Sequence, residues 1–92
     1  MQKTIAIVED EQSIRENYTK LLRDQDYHVE QFSNRPDAAL SFANNLPDLV
    51  ILDISLENDI DGGFELCRLL RQQSETLPII FLTARNNDLD TI

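Results

Sequence analysis

The chain has 92 residues, 41% hydrophobic and 27% charged, with 17 acidic against 8 basic side chains and a formal net charge of −9. That is room for one domain with one modest core, and the acidic balance argues against a surface that grips nucleic acid or anionic membrane by itself, leaving cations, a basic partner or plain solubility. A single cysteine, Cys67, excludes an intramolecular disulfide; with no apolar run near the ~20 residues of a membrane span and an opening, MQKTIAIVED, whose apolar core is too short for a secretory signal, the cytoplasm is the expected location.

Short branched runs alternate with helical patterns. Thr4–Val8 (TIAIV) predicts a buried strand. Ile14, Tyr18, Leu21 and Leu22 then fall on one face of a helix, and Ser13 with Glu16 has capping-box spacing. Tyr27–Phe32 predicts a more exposed strand, with His28 on its open face. Asn34 followed by Pro36 is a helix-start signal, and Ala39, Phe42, Ala43 and Leu46 trace the apolar face that follows. Leu49–Leu52 predicts a third strand, and Phe64–Gln73 a third helix with Leu66, Leu69 and Leu70 inward and Cys67 as a small packing residue. Pro78–Thr83 (PIIFLT) predicts a fourth strand with its proline at the entry. Asn86–Asp88 offer caps for a fourth helix at the end of the chain.

This order implies a parallel sheet with helices on both faces, the continuous apolar runs at Thr4–Val8, Leu49–Leu52 and Ile79–Leu82 suiting strands buried on both sides. In such sheets the site lies beyond the C-terminal strand ends. Glu9 and Asp10 follow the first strand, Asp53 the third, and Thr83 closes the fourth. Converging carboxylates repel one another, and a hard divalent cation relieves that; Mg2+ prefers oxygen ligands. A metal there neutralises an incoming phosphoryl group, a neighbouring carboxylate can become its acceptor, and a threonine hydroxyl can bond its oxygens.

The segments IAIVEDE, DLVILDISL and PIIFLTAR resemble, in order and spacing, the three signature segments of bacterial response-regulator receiver domains. The resemblance covers nearly the whole chain. It implies a flavodoxin-like (βα)5 fold and phosphorylation of Asp53 by a sensor histidine kinase. It also implies Mg2+ held by Asp10, Asp53 and the backbone carbonyl of Ser55, with Glu9 acting through water, Thr83 as switch hydroxyl, and Ala84 leaving room for the phosphoryl group. The Glu-Asp-Glu form of the first segment is common in regulators with a winged-helix output domain, so DNA contact is expected through a domain outside residues 1–92 and not by this one.

Two departures qualify the resemblance. The family's fifth strand ends in a lysine that pairs with the phosphoryl group, whereas the lysines here are Lys3 and Lys20. The expectation is a receiver lacking its C-terminal portion, binding Mg2+ but phosphorylated poorly, and self-associating through the edge of the fourth strand. The second departure is the loop after Asp53: Glu57 stands where the family has proline, and Phe64 arrives about two residues late. That loop also imitates a calcium-binding loop through Glu57, Asp59, Asp61 and Gly62, but Arg68 occupies the closing glutamate position and a strand precedes it. A haloacid-dehalogenase-like phosphatase needs a second aspartate where Ser55 stands, and no glycine-rich nucleotide motif is present. A receiver-like interaction module that never takes phosphate is the remaining alternative. Arg85 reads as a solvated loop residue, and Glu11 as the start of the first helix.

Overall fold

Strand and helix alternate strictly through residues 2–53 and 62–82, the part of the chain that this computed structural model describes. The elements are β1 (Thr4–Val8), α1 (Gln12–Asp24), β2 (His28–Phe32), α2 (Arg35–Asn44), β3 (Leu49–Asp53), α3 (Gly62–Gln73) and β4 (Ile79–Leu82). The strands form one sheet in the order β2-β1-β3-β4, and every pairing is parallel. From β1 the chain steps to one side to make β2, then back across to make β3. Right-handed crossovers in opposite directions place their helices on opposite faces, which is the doubly wound α/β arrangement the alternation implies.

Side-chain alternation in the two central strands builds two cores. Ala6, Val8, Val50 and Leu52 point to one face, where Ala38 and Phe42 of α2, Leu66 and Leu70 of α3, and Leu77 close over them. Ile5, Ile7, Val29 and Ile51 point to the other, against Tyr18 and Leu22 of α1. Phe42 is 1% exposed and meets Phe32 edge to face, with ring centroids 5.4 Å apart. Cys67 is half-buried and packs against the first core, and His28 is exposed, both as the sequence predicts.

Asn34 caps α2 as expected: its Oδ1 accepts the Asp37 N–H at 2.8 Å, and Pro36 sits in the first turn. The Ser13–Glu16 box does not form. Helix α1 starts at Gln12 with Glu11 as its cap residue and no side-chain cap bond, which places Ser13 inside the first turn. The predicted stripe of α1 holds at Tyr18 and Leu22, which pack against the second core, but not at Leu21, which is 62% exposed, and the buried residue is Thr19. Residues advance about 100° each around a helix, so Tyr18, Leu22, Arg15 and Thr19 share the inward arc and Leu21 lies outside it.

The other stripes shift in the same modest way. In α2 the buried pair is Ala38 and Phe42, Ala39 packs beside it and Ala43 is exposed, while Leu46, past the helix end, packs against the same core. In α3 Leu66 and Leu70 are buried while Leu69 is 37% exposed, and the helix begins two residues before the predicted Phe64. Strand β4 corrects the expectation of burial on both sides. Ile80 is 50% and Phe81 37% exposed, because β4 is the edge strand among the described residues. The predicted strand end at Thr83, the caps Asn86–Asp88 and Arg85 lie outside the described residues.

Candidate functional site

The register of the central strands makes the site. Val8 pairs with Leu52, so the next residues, Glu9 just past β1 and Asp53 at the end of β3, lie side by side at the point where the chain's crossovers diverge. Ligand crevices of open α/β sheets lie at such switch points. Glu9 and Asp53 are 1% and 2% exposed, and Asp10 is half-buried. One carboxylate oxygen from each of Glu9, Asp10 and Asp53 lies within 4.8 Å of the others. Like charges this close and shielded from water repel strongly, which a cation offsets.

Glu9 is held at three points. Its N–H donates to the Phe32 carbonyl at 3.0 Å, extending the β1–β2 ladder one residue past the strand. Its Oε2 accepts the Glu11 N–H at 3.0 Å, and its backbone carbonyl accepts Nη1 of Arg15 at 2.7 Å. The neighbouring helix therefore fixes both the main chain and the side chain of this acid.

The donor set fits a small, hard divalent cation. Octahedral Mg2+ with oxygens at 2.0–2.1 Å spaces adjacent ligands about 2.9 Å and opposite ones about 4.1 Å apart. A trio spanning up to 4.8 Å meets that with a slight rotation or with one carboxylate acting through water.

Of the residues expected from the sequence, the structure brings together Glu9, Asp10 and Asp53. Ser55, Thr83 and Ala84 lie outside the described residues, as do Glu57, Asp59 and Asp61 of the imitated calcium loop. Gly62, which that loop would need, belongs to α3. Glu11 does begin the first helix, as its cap residue. Sequence reasoning missed Arg15, whose only signal is its place one turn from Glu11 and one turn from Thr19 on α1.

Among the described residues no helix is long and apolar enough to cross a membrane. Residues 5–92 match the family described as response regulator receiver domain. The chain is 38% identical over 90 residues to the transcriptional regulatory protein CreB of Escherichia coli K12, covering 98% of this chain and 38% of that one. It is 39% identical over 90 residues to the phosphate regulon transcriptional regulatory protein PhoB of Rhizobium meliloti, covering 96% of this chain and 39% of that one. The chain thus spans well under half the length of these curated relatives. A crystal structure of a putative response regulator from Chloroflexus aurantiacus superposes with a TM-score of 0.84 at 34% identity, covering 98% of this chain and 74% of that one.

Proposed function

The chain belongs to the response-regulator receiver domain family, and on that premise we propose that Asp53 is its phosphoacceptor, taking a phosphoryl group from a sensor histidine kinase. The observation that carries this reading is the buried Asp53 at the tip of β3, set against Glu9 and Asp10 across the switch point. A carboxylate oxygen of Asp53 attacks the phosphorus of a phosphohistidine, the O–P bond forms as the N–P bond breaks, and the imidazole leaves with its electron pair. Bound Mg2+ supplies charge neutralisation for the phosphoryl oxygens. Asp10 and Asp53 would hold that ion with the backbone carbonyl of Ser55, and Glu9 would act through water. Thr83 bonds a phosphoryl oxygen, and Ala84 leaves space for the group. This is self-directed phosphoryl acceptance and loss, not turnover of a separate substrate, and its proposed place is the cytoplasm, where a lone thiol such as Cys67 stays reduced.

The longer protein is a proposed transcription regulator, since both curated relatives carry that description over lengths much greater than this chain. In it, phosphorylation biases a pre-existing two-state equilibrium and the output domain touches DNA.

The test is intact-mass measurement after incubation with acetyl phosphate and Mg2+. The expected result is the gain of one phosphoryl group by the wild type, slower in this 92-residue chain than in one extended through a fifth strand and its lysine, and no gain by Asp53→Asn in either. Phosphoryl gain by Asp53→Asn at the wild-type rate overturns the assignment.

A further inference from the structure

We propose that Arg15 is a positioning residue for the acidic site: by gripping the Glu9 carbonyl it sets the plane from which Asp10 departs, and so the spacing of the metal ligands. The inference rests on the metal reading above and adds to it a residue outside the carboxylate trio.

The argument is geometric. Arg15 Nη1 donates to the Glu9 backbone oxygen at 2.7 Å in a partly buried contact that reaches back six residues. That oxygen shares one rigid peptide plane with the nitrogen and Cα of Asp10. Holding it therefore fixes the direction in which Asp10 leaves the strand, at a residue only half-buried and less constrained by packing than Glu9. Arg15 is itself anchored on both sides: its N–H donates to the Glu11 carbonyl at 3.0 Å, and its carbonyl accepts Oγ1 of the buried Thr19 at 2.7 Å. Glu11 completes the ring by donating its N–H to Glu9 Oε2 at 3.0 Å. One helical turn thus holds both the backbone and the carboxylate of a ligand.

Charge alone predicts the opposite consequence. A guanidinium near three carboxylates competes with a cation for their field, so an arginine acting only by charge lowers metal affinity, and its removal raises it. A positioning arginine behaves the other way. Lysine keeps the charge but lacks the planar fork.

The experiment is an Mg2+ titration of the 92-residue wild type, Arg15→Met, Arg15→Lys and Thr19→Val by calorimetry, with urea unfolding in EDTA and amide hydrogen exchange at Glu11 alongside. Expected are Mg2+ binding about ten-fold weaker in Arg15→Met and about three-fold weaker in Arg15→Lys, from loss or weakening of one charge-assisted bond. A smaller weakening is expected in Thr19→Val, and faster Glu11 exchange in both Arg15 variants than in the metal-free wild type. Binding that is unchanged or tighter in Arg15→Met overturns the proposal, as does a Glu11 amide that exchanges in the wild type as fast as an exposed one. Should Arg15→Met fail to fold, Arg15→Lys and the wild-type Glu11 amide decide alone. No Mg2+ binding by the wild type sinks the metal reading and this assignment with it; binding by the wild type with unchanged Arg15 variants sinks this assignment alone.

Discussion

Replacing Asp53 by asparagine is expected to make the metal-free domain more stable while removing its response to Mg2+. The three ligand oxygens of Glu9, Asp10 and Asp53 are no more than 4.8 Å apart. Two unit charges at that distance repel by about 3.5 kcal/mol at an effective dielectric of 20 and by about 0.9 kcal/mol in bulk water. Asp53 and Glu9 are both buried, so their pair lies nearer the first figure; the pair with half-buried Asp10 lies nearer the second. Local relaxation caps the cost, and asparagine keeps one acceptor oxygen for whatever bonds Asp53 accepts. A gain of about 2 kcal/mol is expected, equivalent to a rise in Tm of roughly 10 °C for a domain of this size. Buried pairs are screened weakly, so most of the gain should survive added monovalent salt. With Mg2+ at ten times its Kd, the wild type should gain about 1.4 kcal/mol by linkage and Asp53→Asn much less. Urea unfolding followed by circular dichroism, in EDTA and then in Mg2+, measures both. An Asp53→Asn variant less stable than wild type in EDTA, or two proteins that respond alike to Mg2+, would refute the reasoning.

Three further outcomes are expected. Phe42→Ala empties a site 1% exposed and loses the edge-to-face contact with Phe32, which should cost about 3–5 kcal/mol in denaturant unfolding. Asp26, at φ 72, is a non-glycine residue in the left-handed region, so Asp26→Gly should raise stability by up to about 1 kcal/mol, left-handed strain outweighing the entropy glycine adds to the unfolded chain. Arg71 Nη1 donates to the Leu77 carbonyl at 2.6 Å in a partly buried bond; Arg71→Met should cost about 1–3 kcal/mol, with amide exchange quickening in the segment from Ser74 to Leu77 before the rest of the sheet.

Local signals survive into the structure where one residue's chemistry settles the matter. Asn34 and Pro36 mark the start of α2 because a side-chain acceptor and a fixed φ act within a single turn. The branched runs mark β1 and β3 because both faces of those strands are covered. Signals fail where the answer depends on a neighbour far along the chain. The rotation of α1, which exposes Leu21 and buries Thr19, is set by the sheet beneath it. Asp48, to which the sequence assigns no role, staples β1 to β3 at the edge opposite the site. Its Oδ2 accepts the Thr4 N–H, and its own N–H donates to the Thr4 carbonyl, each at 2.8 Å. The turn after α1 is a third case. Tyr27 N–H bonds the Leu22 carbonyl and Asp26 N–H that of Arg23, a Schellman closure built without the glycine that would announce it. Such a turn also removes Tyr27 from β2, which begins at His28.

The carboxylates themselves were legible for a different reason, and it bears on what they are for. An acid at the end of a central strand is costly: ionised groups shielded from water must be paired or bound to metal. Stability alone would favour an apolar or neutral residue at Asp53, where the strand already supplies Val50, Ile51 and Leu52 to the two cores. Parallel pairing sets Glu9, the residue after β1, beside it, and the turn into α1 adds Asp10. The fold thus concentrates in one crevice the residues that help it least, and holds one of them, Glu9, by hydrogen bonds at its amide, carbonyl and carboxylate. Local rules broken at a site so firmly held point to chemistry rather than packing. An ion that binds the trio recovers part of the repulsion, so occupancy and stability are coupled, and transfer of a phosphoryl group to Asp53 would change the charge at the same atoms. The strands that lead to these acids place alternate residues in opposite cores, so the site borders both.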